Sequence, residues 1–516
     1  MQVGPMLRLF LLVVGMAWLG SAMSQTFNKR FDFFNEAEGE FTLAVEVLPA
    51  GNALVFANRA YALDSLYYSS GISIVGVTTT GQFGAGYRLH IPERASYVGW
   101  VNCTSPLDTG GFVVFGGNAA ANDTIKAAIY WVNIEGTVVQ YHELSLPGLA
   151  WIPRGGLPTP DGGFVLVGET PTTGTDLDGF LVKTDAQGNV LWVRTYGDPD
   201  LRELLSCVEQ GPWGGYYLGG QHEVSIGHYE PYIIRVDDLG YIIGQADYAA
   251  PYPSSGAYLS PASDGNVWAG GGYNVAPGAE GRRATIYKVD QDGALLWRKL
   301  YGPTSRIGLF TVQEVPGSTD LVAAGFNDSQ AFGGGITGVL LRTTATGDSL
   351  WMRSYTYSDN LLTNGNSGFY DMQPTPDGGF IAVGFTYYAI LSDTTYSQDV
   401  WVVKVDSMGC LEPGCHLVTG METQITNLRG ALTVAPNPVA SGGGEQVRVA
   451  WPESFSAHGP LRLTLTSSDS RVVQEELVPR GVSSFQLHVS GFSPGLYHIH
   501  LSDPTRWLSG SKLIIE

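Results

Sequence analysis

The apolar residues of this chain occur in short runs that alternate with Gly-rich, polar turns, and no long stretch has apolar residues at helical spacing. The clearest run follows a turn with two glycines and itself ends in glycine, as in DTGGFVVFGG from Asp108, PDGGFVLVGE from Pro160 and PDGGFIAVGF from Pro376. Short apolar runs bounded by turn residues are typical of buried β-strands. The pattern therefore predicts an all-β protein.

This Gly-rich turn and strand recur seven times. When each copy is anchored on the residue before the strand, the anchors are Gly51, Gly111, Gly163, Gly215, Asn266, Asp320 and Gly379. Successive anchors are 60, 52, 52, 51, 54 and 59 residues apart. Repeats of roughly 50 residues that hold several short strands are typical of the blades of a β-propeller.

Three further strands complete each repeat. The second strand often closes with Asp, at Asp185, Asp237, Asp290 and Asp406. The third carries Trp and Tyr, as in NVLWVRTYG, ALLWRKLYG and SLWMRSYT, and a fourth leads back to the next Gly-rich turn. We interpret the recurrent Asp as a turn residue that bonds its own backbone rather than as a calcium ligand. We interpret Trp192, Trp297 and Trp351 as packing between blades rather than as a stacking surface for ligands.

The two ends of the repeat array complement each other. The seventh copy lacks a Trp-Tyr strand after Asp406, whereas residues 27–35, FNKRFDFFN, supply a strand of that type before the first Gly-rich turn. Pairing of these two segments would tie the chain ends together and remove free sheet edges. We therefore predict a closed seven-bladed β-propeller over residues 25–415.

The N-terminus predicts export. Arg8 precedes the apolar run Leu9 to Leu19, and small residues follow up to Ser24. This order of a charged, an apolar and a small-residue region is typical of a signal peptide. We place its end at residue 24, with cleavage after Ser24. The alternative is an uncleaved anchor helix, for which the apolar run is short.

The acidic charge narrows the classes of partner. The formal net charge is −20, and charged residues make up only 15% of the chain. Nucleic acids and anionic lipids both require a basic surface, so we expect no nucleic-acid partner. No other segment is long and apolar enough to cross a membrane, and we expect no transmembrane segment in the mature chain.

The four cysteines fall into two groups. Cys410 and Cys415 enclose a short turn and could form a local disulfide, the alternative being two free thiols. Cys103 and Cys207 each lie eight residues before a repeat anchor, in repeats that are not neighbours. We therefore expect these two to be buried free thiols rather than a bridge.

The composition changes after Cys415. We interpret residues 416–430 as a linker and residues 431–516 as a second domain with alternating strands, for example Leu461-Leu463-Leu465, and predict a β-sandwich. Its motifs are Pro436-Asn437-Pro438, Gly495 with Tyr497, and a closing Lys512-Leu513-Ile514. In combination these resemble the type A C-terminal sorting domain of the type IX secretion system of Bacteroidota-type bacteria. The stretch Pro504–Trp507 departs from that pattern, being longer and bulkier than the expected hairpin turn.

The resemblance implies a route and a partner. It implies passage to the periplasm, translocation by the type IX secretion machinery, removal of the C-terminal domain, and release or attachment at the cell surface. Residues 27–415, including the ending GCLEPGC, resemble uncharacterised propeller-like repeats often found with such domains. That second resemblance implies a fold and no activity.

We find no convincing catalytic set. The chain has no HExxH, GxSxG, Walker or paired-cysteine zinc motif, and we expect no cofactor and no metal. His498 and His500 share one strand face and could chelate a metal, but we interpret them as exposed strand residues.

One side of the predicted propeller favours binding. The loops between the first and second strand of each repeat must emerge on that side, and they differ widely in sequence. Candidate ligand-contacting residues there are Tyr387, Tyr388, Tyr396, His222 and His228. We predict a secreted or surface-attached binding module for a glycan or protein ligand. The alternatives are a polysaccharide hydrolase or lyase that uses the central depression, and a structural or adhesion protein.

Overall fold

The computed structural model describes most of the chain beyond the predicted signal peptide, which lies outside the described residues. The described residues are 25–32, 39–62, 68–92, 94–120, 125–148, 150–171, 177–198, 201–329, 335–357, 366–389, 396–417, 423–424, 432–440, 446–452, 460–469, 471–479, 481–503 and 506–516. Among these residues no helix is long and apolar enough to span a membrane.

The first part of the described chain forms seven antiparallel sheets, numbered here in chain order. The chain enters with β1 (Phe27–Phe31), which belongs to sheet 7. Sheet 1 contains β2 (Glu40–Val47), β3 (Ala53–Ala62), β4 (Tyr68–Val77) and β5 (Phe83–Leu89). Sheet 2 contains β6 (Arg94–Val98), β7 (Thr104–Pro106), β8 (Phe112–Ala120), β9 (Ile125–Val132) and β10 (Val138–Glu143).

Sheets 3 to 5 each have four strands in sequential order. Sheet 3 contains β11 (Ile152–Pro158), β12 (Phe164–Pro171), β13 (Leu177–Thr184) and β14 (Val190–Tyr196). Sheet 4 contains β15 (Glu203–Gln210), β16 (Tyr216–Ser225), β17 (His228–Val236) and β18 (Ile242–Asp247). Sheet 5 contains β19 (Tyr258–Pro261), β20 (Val267–Asn274), β21 (Arg282–Val289) and β22 (Leu295–Tyr301), with one 3₁₀ turn at Ala279–Gly281.

Sheets 6 and 7 follow the same plan. Sheet 6 contains β23 (Arg306–Glu314), β24 (Leu321–Ser329), β25 (Gly335–Thr343) and β26 (Ser349–Tyr355). Sheet 7 contains β27 (Ser367–Pro374), β28 (Phe380–Ala389) and β29 (Tyr396–Val405), and β1 is its fourth strand. β1 pairs antiparallel with β29, from Phe27 opposite Lys404 to Phe31 opposite Val400. The predicted pairing of the two chain ends is therefore present, with β1 ending at Phe31.

Buried apolar clusters lie between consecutive sheets. The cluster between sheets 3 and 4, for example, joins Val165 and Leu181 to Leu218. Clusters of the same kind join each sheet to the next from sheet 1 to sheet 7. A further cluster joins sheet 7 to sheet 1 and contains Phe27 and Val45. Burial of these faces is the main favourable contribution to folding.

In four sheets, a tyrosine on the last strand or directly after it reaches the turn of the following sheet. The Tyr196 hydroxyl donates to the Gly240 carbonyl over 2.8 Å, and the Tyr355 hydroxyl donates to the Gly409 carbonyl over 2.7 Å. Tyr248 and Tyr301 make the same bond to Gly293 and Gly347. All four tyrosines are buried. The four bonds link sheet 3 to sheet 4, sheet 4 to sheet 5, sheet 5 to sheet 6 and sheet 6 to sheet 7.

The recurrent tryptophans pack on the same turn glycines. A methyl group added at Gly347 would lie 2.8 Å from the Trp297 ring, and one added at Gly240 would lie equally close to Trp192. This confirms that the tryptophans pack between sheets. Phe27 occupies the equivalent position on β1, opposite Lys404, and its ring lies 2.5 Å from a methyl group placed at Gly81 of sheet 1. The same contact therefore joins sheet 7 to sheet 1.

The predicted Asp turns are also confirmed. The Asp185 carboxylate accepts the N–H groups of Gln187 and Asn189 over 2.9 and 2.8 Å. Equivalent bonds form at Asp237, Asp290 and Asp406, and Thr or Asn takes the same role at Thr78, Asn133 and Thr344. These side chains satisfy backbone donors of the tight turn, as expected of Asx turns.

The C-terminal strands form two sheets around one core. The smaller sheet contains β31 (Thr433–Ala435), β32 (Gln446–Ala450) and β35 (Ser484–His488). The larger contains β33 (Leu461–Ser467), β34 (Val472–Val478), β36 (Gly495–Ser502) and β37 (Arg506–Ile515). Val447 and Leu487 of one sheet share a buried cluster with Leu463 and Ile499 of the other. The arrangement is a β-sandwich.

The stretch interpreted as a linker connects the two parts of the structure. It begins with a 3₁₀ turn at Cys415–Leu417, and β30 (Thr423–Gln424) lies between β26 and β37, parallel to both. Sheet 6 and the larger sandwich sheet thus form one continuous hydrogen-bonded sheet.

The glycine contact between sheets gives the first prediction. Gly347 has φ +78° and lies under the Trp297 ring, so Gly347→Ala imposes both backbone strain and a steric clash. We expect a loss of about 3 kcal/mol in unfolding free energy, measured by chemical denaturation.

The matched control is Gly317→Ala. Gly317 has φ +75° but no heavy atom within 4 Å of an added methyl group, so only strain applies. We expect a loss of about 1 kcal/mol. Equal losses at the two positions would contradict the proposed role of the Trp297 contact.

Candidate functional site: the plug segment and its cavity

The first strand of sheet 2 is interrupted. β6 and β7 both pair with β8, and residues 99–103 between them form what we call the plug segment. The Trp100 N–H group donates to the Arg154 carbonyl of sheet 3 over 2.5 Å. Asn102 has φ +49°, the only positive φ of a residue other than glycine among the described residues. Residues 100–102 therefore bulge out of the sheet, whereas Gly99 and Cys103 at the two ends of the segment still hydrogen-bond to Phe115 of β8.

The plug segment contacts sheets far from it along the chain. The Trp100 ring lies edge-on to Tyr370 of sheet 7 at 5.1 Å and to Phe310 of sheet 6 at 6.4 Å, centroid to centroid. The Asn102 amide donates to the Glu209 carboxyl of sheet 4 over 3.2 Å and to the Leu259 carbonyl of sheet 5 over 3.0 Å. The first strands of sheets 2 to 7 thus converge on this segment.

More aromatic rings surround the point of convergence. Phe310 packs against Tyr258 at 5.2 Å and Tyr370 at 5.5 Å, and Tyr370 packs against Phe385 at 5.5 Å. These rings come from sheets 5, 6 and 7. Tilted and edge-to-face pairs of this kind add to the energy of burial.

A cavity of about 270 Å³ lies beside the plug segment. It is lined by Phe41, Leu43, Asn58, Arg59, Tyr97, Val98, Gly99, Trp100 and Arg154. Phe41 lies at the start of β2 and Arg59 towards the end of β3, so the cavity is on the side from which the β3–β4 connection emerges. This is the side for which the sequence predicts variable loops.

The two arginines of the cavity are paired. Arg154 Nε and Nη2 donate to the two oxygens of Glu169 over 3.0 and 3.1 Å, and the Arg154 side chain remains 32% exposed. Arg59 is buried, with its Nε 4.0 Å from Glu40 Oε1. Each positive charge therefore has a carboxylate partner, and the cavity wall is close to neutral.

Carboxyl groups lie on the other side of the plug segment. Burial raises the pKa of Glu209 to about 8, and burial also raises the pKa of Asp371 to about 7. The pKa of Glu46 is likewise raised by burial. Beside them a second cavity of about 390 Å³ is lined by Val47, Leu48, Pro49, Val315, Pro316, Gln373, Pro374, Thr375, Pro376, Gly378, Gly379 and Phe380.

Two of these polar side chains join sheet 7 to sheet 1. Asp371 Oδ2 accepts the Val45 N–H group over 2.9 Å, and Gln373 Oε1 accepts the Val47 N–H group over 3.3 Å. Both side chains extend from β27 to the backbone of β2. Asp371 therefore has a structural partner, which accounts for a carboxyl group at this half-buried position.

The residues predicted to contact a ligand lie in two separate hairpins. His222 and His228 belong to β16 and β17 of sheet 4, where His222 lies 3.2 Å from Asp247 and His228 lies 3.5 Å from Glu230. The two histidines were expected in a variable loop, but residues 221–230 are mostly strand, with a turn at Ile226 and Gly227.

The three tyrosines lie in the β28–β29 hairpin of sheet 7. Tyr387 is 39% exposed and contacts Phe385 at 5.5 Å. Tyr388 and Tyr396 lie within β28 and β29, but their side chains are outside the described part of the structure. Sheets 4 and 7 are not consecutive, so the histidines and tyrosines do not form one cluster.

The residues of the proposed sorting motif come together at one end of the sandwich. The Asn437 amide donates to the Lys512 carbonyl over 2.7 Å, and its oxygen accepts the Ile514 N–H group over 2.9 Å. Gly495 and Tyr497 are on β36, the strand next to Lys512 on β37. Pro436 and Pro438, on either side of Asn437, both follow cis peptide bonds.

The cysteines divide as the sequence suggests. Cys103 and Cys207 are buried free thiols, and burial raises the pKa of Cys207 to about 12. Cys410 and Cys415 are joined by a disulfide.

The expectation for His498 and His500 was wrong. Both side chains are buried, and Gly414 of the loop closed by the disulfide lies against His500. Among the described residues no group of three or more His, Cys, Asp or Glu side chains is arranged to hold a metal ion.

Sequence reasoning missed the plug segment, Arg154 and the buried carboxyl groups. The only signal was the spacing of 60 residues between the first two anchors, against 51 to 54 for the next four. The longer spacing indicates extra residues but does not show that they leave the sheet. No sequence motif indicates the Arg154–Glu169 pair, because the two residues come together only through the pairing of β11 and β12.

Comparisons with known proteins do not assign a family. No family model matches the chain, and no curated protein matches it. Among solved structures, the alpha-L-arabinofuranosidase Arb93A from Fusarium graminearum is 10% identical, covering 74% of this chain and 98% of that one, with a TM-score of 0.39. The WD40 domain of SCAP from fission yeast is 7% identical, covering 75% and 100%, with a TM-score of 0.34.

A third similar structure is the extracellular domain assigned to a hybrid two-component system from B. thetaiotaomicron. It is 10% identical, covering 92% of this chain and 69% of that one, with a TM-score of 0.31. Similarity at this level identifies neither a family nor a function. The repeated four-stranded sheets of the structure are themselves β-propeller-like.

The raised pKa of the half-buried Glu209 predicts a dependence of stability on pH. The pKa of Glu209 is raised to about 8 in the folded protein. Its contribution to the free energy of unfolding is therefore fully present below its pKa in the unfolded chain, and it is lost as the pH rises towards 8. Glu209→Gln keeps an oxygen for the Asn102 amide and removes the titration. We expect the variant to gain on the order of a few kcal/mol over the parent between pH 5 and pH 8.

Chemical denaturation at the two pH values measures this difference. Glu135→Gln, at an exposed position, is the matched control and should leave the parent profile unchanged. A Glu209→Gln profile parallel to that of the parent would refute a protonated Glu209.

Proposed function

We propose that the protein is an exported binding module built on a closed seven-bladed β-propeller. Sheets 1 to 7 are its blades, and the β1–β29 pairing and the Phe27 contact on Gly81 join the seventh blade to the first. The convergence of the first strands of five other sheets on the plug segment supports a single central axis.

The remaining segments serve delivery. Residues 1–24 act as a signal peptide, residues 25–415 form the propeller, and residues 416–430 link it to residues 431–516, a type IX sorting domain. The clustering of Asn437, Tyr497 and Lys512 at one end of the sandwich supports a common recognition surface for the secretion machinery. The mature protein is released or held at the cell surface.

The cavity beside the plug segment carries the proposal of binding. It is concave and mainly apolar, with a small number of polar groups, which is the usual composition of a ligand pocket. It lies on the side of the hairpins that vary between blades. Rigid sheets with variable connections on one side are a common basis for recognition.

Catalysis in the central depression is the less favoured alternative. The plug segment occupies the centre, and the carboxyl groups nearest to it are engaged: Glu209 accepts a hydrogen bond from Asn102, and Asp371 accepts one from the Val45 backbone. A polysaccharide hydrolase needs a pair of carboxyl groups on either side of a bound sugar.

A glycan and peptide array tests the proposal. Residues 25–516 are applied to the array, together with a Phe41→Ala variant that alters the cavity wall. We expect selective binding to one class of ligand without its chemical conversion, and weaker binding by the variant. Absence of any ligand, or turnover of an arrayed glycan detected by mass spectrometry, would contradict a binding module.

A further inference from the structure

The cavity beside the plug segment also indicates which ligand it takes, and this inference rests on the proposed binding function. We propose that it holds a single uncharged sugar residue. The argument depends on charge, on the aromatic wall and on one arginine nitrogen.

Charge excludes ionic ligands first. Arg154 is paired with the Glu169 carboxylate, and Arg59 with that of Glu40. The cavity wall therefore has no net charge that would attract an ionic ligand. The protein as a whole carries −20, which repels an anion. A cation would have to displace an arginine from a buried carboxylate, which is costly.

Arg154 nevertheless provides a fixed hydrogen-bond donor. Its Nε and Nη2 groups are held by Glu169, which fixes the guanidinium plane, and Cζ lies 5.9 Å from the centre of the Trp100 ring. Nη1 makes no hydrogen bond within the described part of the structure, and the side chain is partly exposed. An oxygen of an uncharged ligand can accept from it without any desolvation of a second ion.

The rest of the wall suits a ring with an apolar face. Phe41, Tyr97 and Trp100 are aromatic, and Leu43 and Val98 are aliphatic. A volume of about 270 Å³ is at the lower end of ligand pockets, which limits the occupant to one ring. A pyranose combines such a face with acceptor oxygens at its edge.

Calorimetric titration of residues 25–516 tests this inference. The probes are uncharged methyl pyranosides, with glucuronate as the anionic and glucosamine as the cationic counterpart. We expect at least one uncharged glycoside to bind at least tenfold more tightly than either charged sugar. Arg154→Met should weaken its binding about tenfold, as for one lost hydrogen bond to a charged donor.

Two further variants keep the test decisive. Arg306→Met removes an arginine that pairs with Asp328 outside the cavity and should bind as the parent does. Phe41→Ala leaves the Arg154–Glu169 pair intact and should also weaken binding. Tighter binding of glucuronate, or parent-like binding by both cavity variants, would overturn the sugar assignment. An array ligand that binds independently of Arg154 and Phe41 would contradict only the sugar assignment and would remain consistent with a binding module.

A second inference rests on a separate contact, between the disulfide loop and the sandwich. The disulfide loop comprises residues 410–415, closed by Cys410 and Cys415. We propose that this loop is a docking surface for the C-terminal sandwich and that reduction of its disulfide by a small dithiol releases the contact between the loop and the sandwich.

Trp507 forms the centre of the contact. Its side chain is fully buried and clusters with Cys410 and Cys415. Its indole nitrogen donates to Nδ1 of His500 over 3.2 Å. Because an indole N–H can only donate, Nδ1 carries no proton, and the ring proton is on Nε2, which lies 3.2 Å from the Thr466 hydroxyl. Trp507, the last residue of the stretch that departs from the sorting-domain pattern, thus has a partner.

The two surfaces fit closely. Gly414 has φ +91°, and a methyl group there would lie 2.9 Å from Thr466 Oγ1 and 3.3 Å from His500 Nε2. A methyl group at Gly510 would lie 2.7 Å from the Glu412 side chain. Only a loop held in one conformation can meet such a surface, and the disulfide restricts the loop to few conformations.

Reduction removes that restriction. A thiolate of the dithiol attacks one sulfur to give a mixed disulfide, and the second thiolate of the reagent displaces the protein sulfur. Cys410 and Cys415 are left as thiols and the reagent as a disulfide. Cys103 and Cys207 are already thiols, so dithiothreitol changes only this bond.

Hydrogen exchange of residues 25–516 with and without dithiothreitol tests the release. We expect faster exchange on reduction both in the loop, residues 410–417, and in residues 506–510 of β37. Trp507→Leu should raise exchange at both sites with the disulfide intact, whereas Leu477→Ala, at an exposed sandwich position, should not. Faster exchange in the loop alone, or no change at either site, would overturn the docking proposal.

Discussion

The architecture depends on one recurring contact, in which side chains of one sheet pack on a turn glycine of the next. The packing group is a ring at five of the seven turns and is aliphatic at Gly136 and Gly293, and in four of the sheets a buried tyrosine also donates to that glycine's carbonyl. Where a ring lies over the glycine, the glycine is required twice, by its positive φ and by that ring. The Asp, Asn or Thr that caps each turn fixes the same carbonyl in place. Repeats that contact only their neighbours are stabilised chiefly through such interfaces.

The ends of the array use the same contact. Phe27, on a strand delivered by the N-terminus, packs on Gly81 as Trp297 packs on Gly347. Asp371 adds a side-chain bond to the backbone of sheet 1. In the proposed closed propeller, the first strands face a common centre, and the plug segment fills it. The proposed binding site is consequently beside the centre, under the variable hairpins.

Much of the fold could be predicted because the sequence pattern of each strand and turn recurs in several repeats. Residues 27–35 could be assigned as the missing Trp-Tyr strand only because the seventh copy lacks one. The plug segment could not be predicted, since Trp100 and Asn102 act through contacts with distant sheets that no local pattern records.

The expectation for His500 failed for a related reason. Alternation on β36 identifies its two faces, but not the disulfide loop that covers one of them. His222 and His228 were placed in a loop because polar residues resemble loop residues, whereas pairing extends both strands of the hairpin beyond the body of the sheet.

Hydrogen exchange of β1 tests the closed propeller most directly, since Phe27–Phe31 has no partner other than β29 in its sheet. Closure predicts that these amides are protected to the same degree as those of β29 and lose protection together with them as denaturant is added. Rapid exchange of Phe27–Phe31 while sheets 2 to 6 remain protected would contradict it.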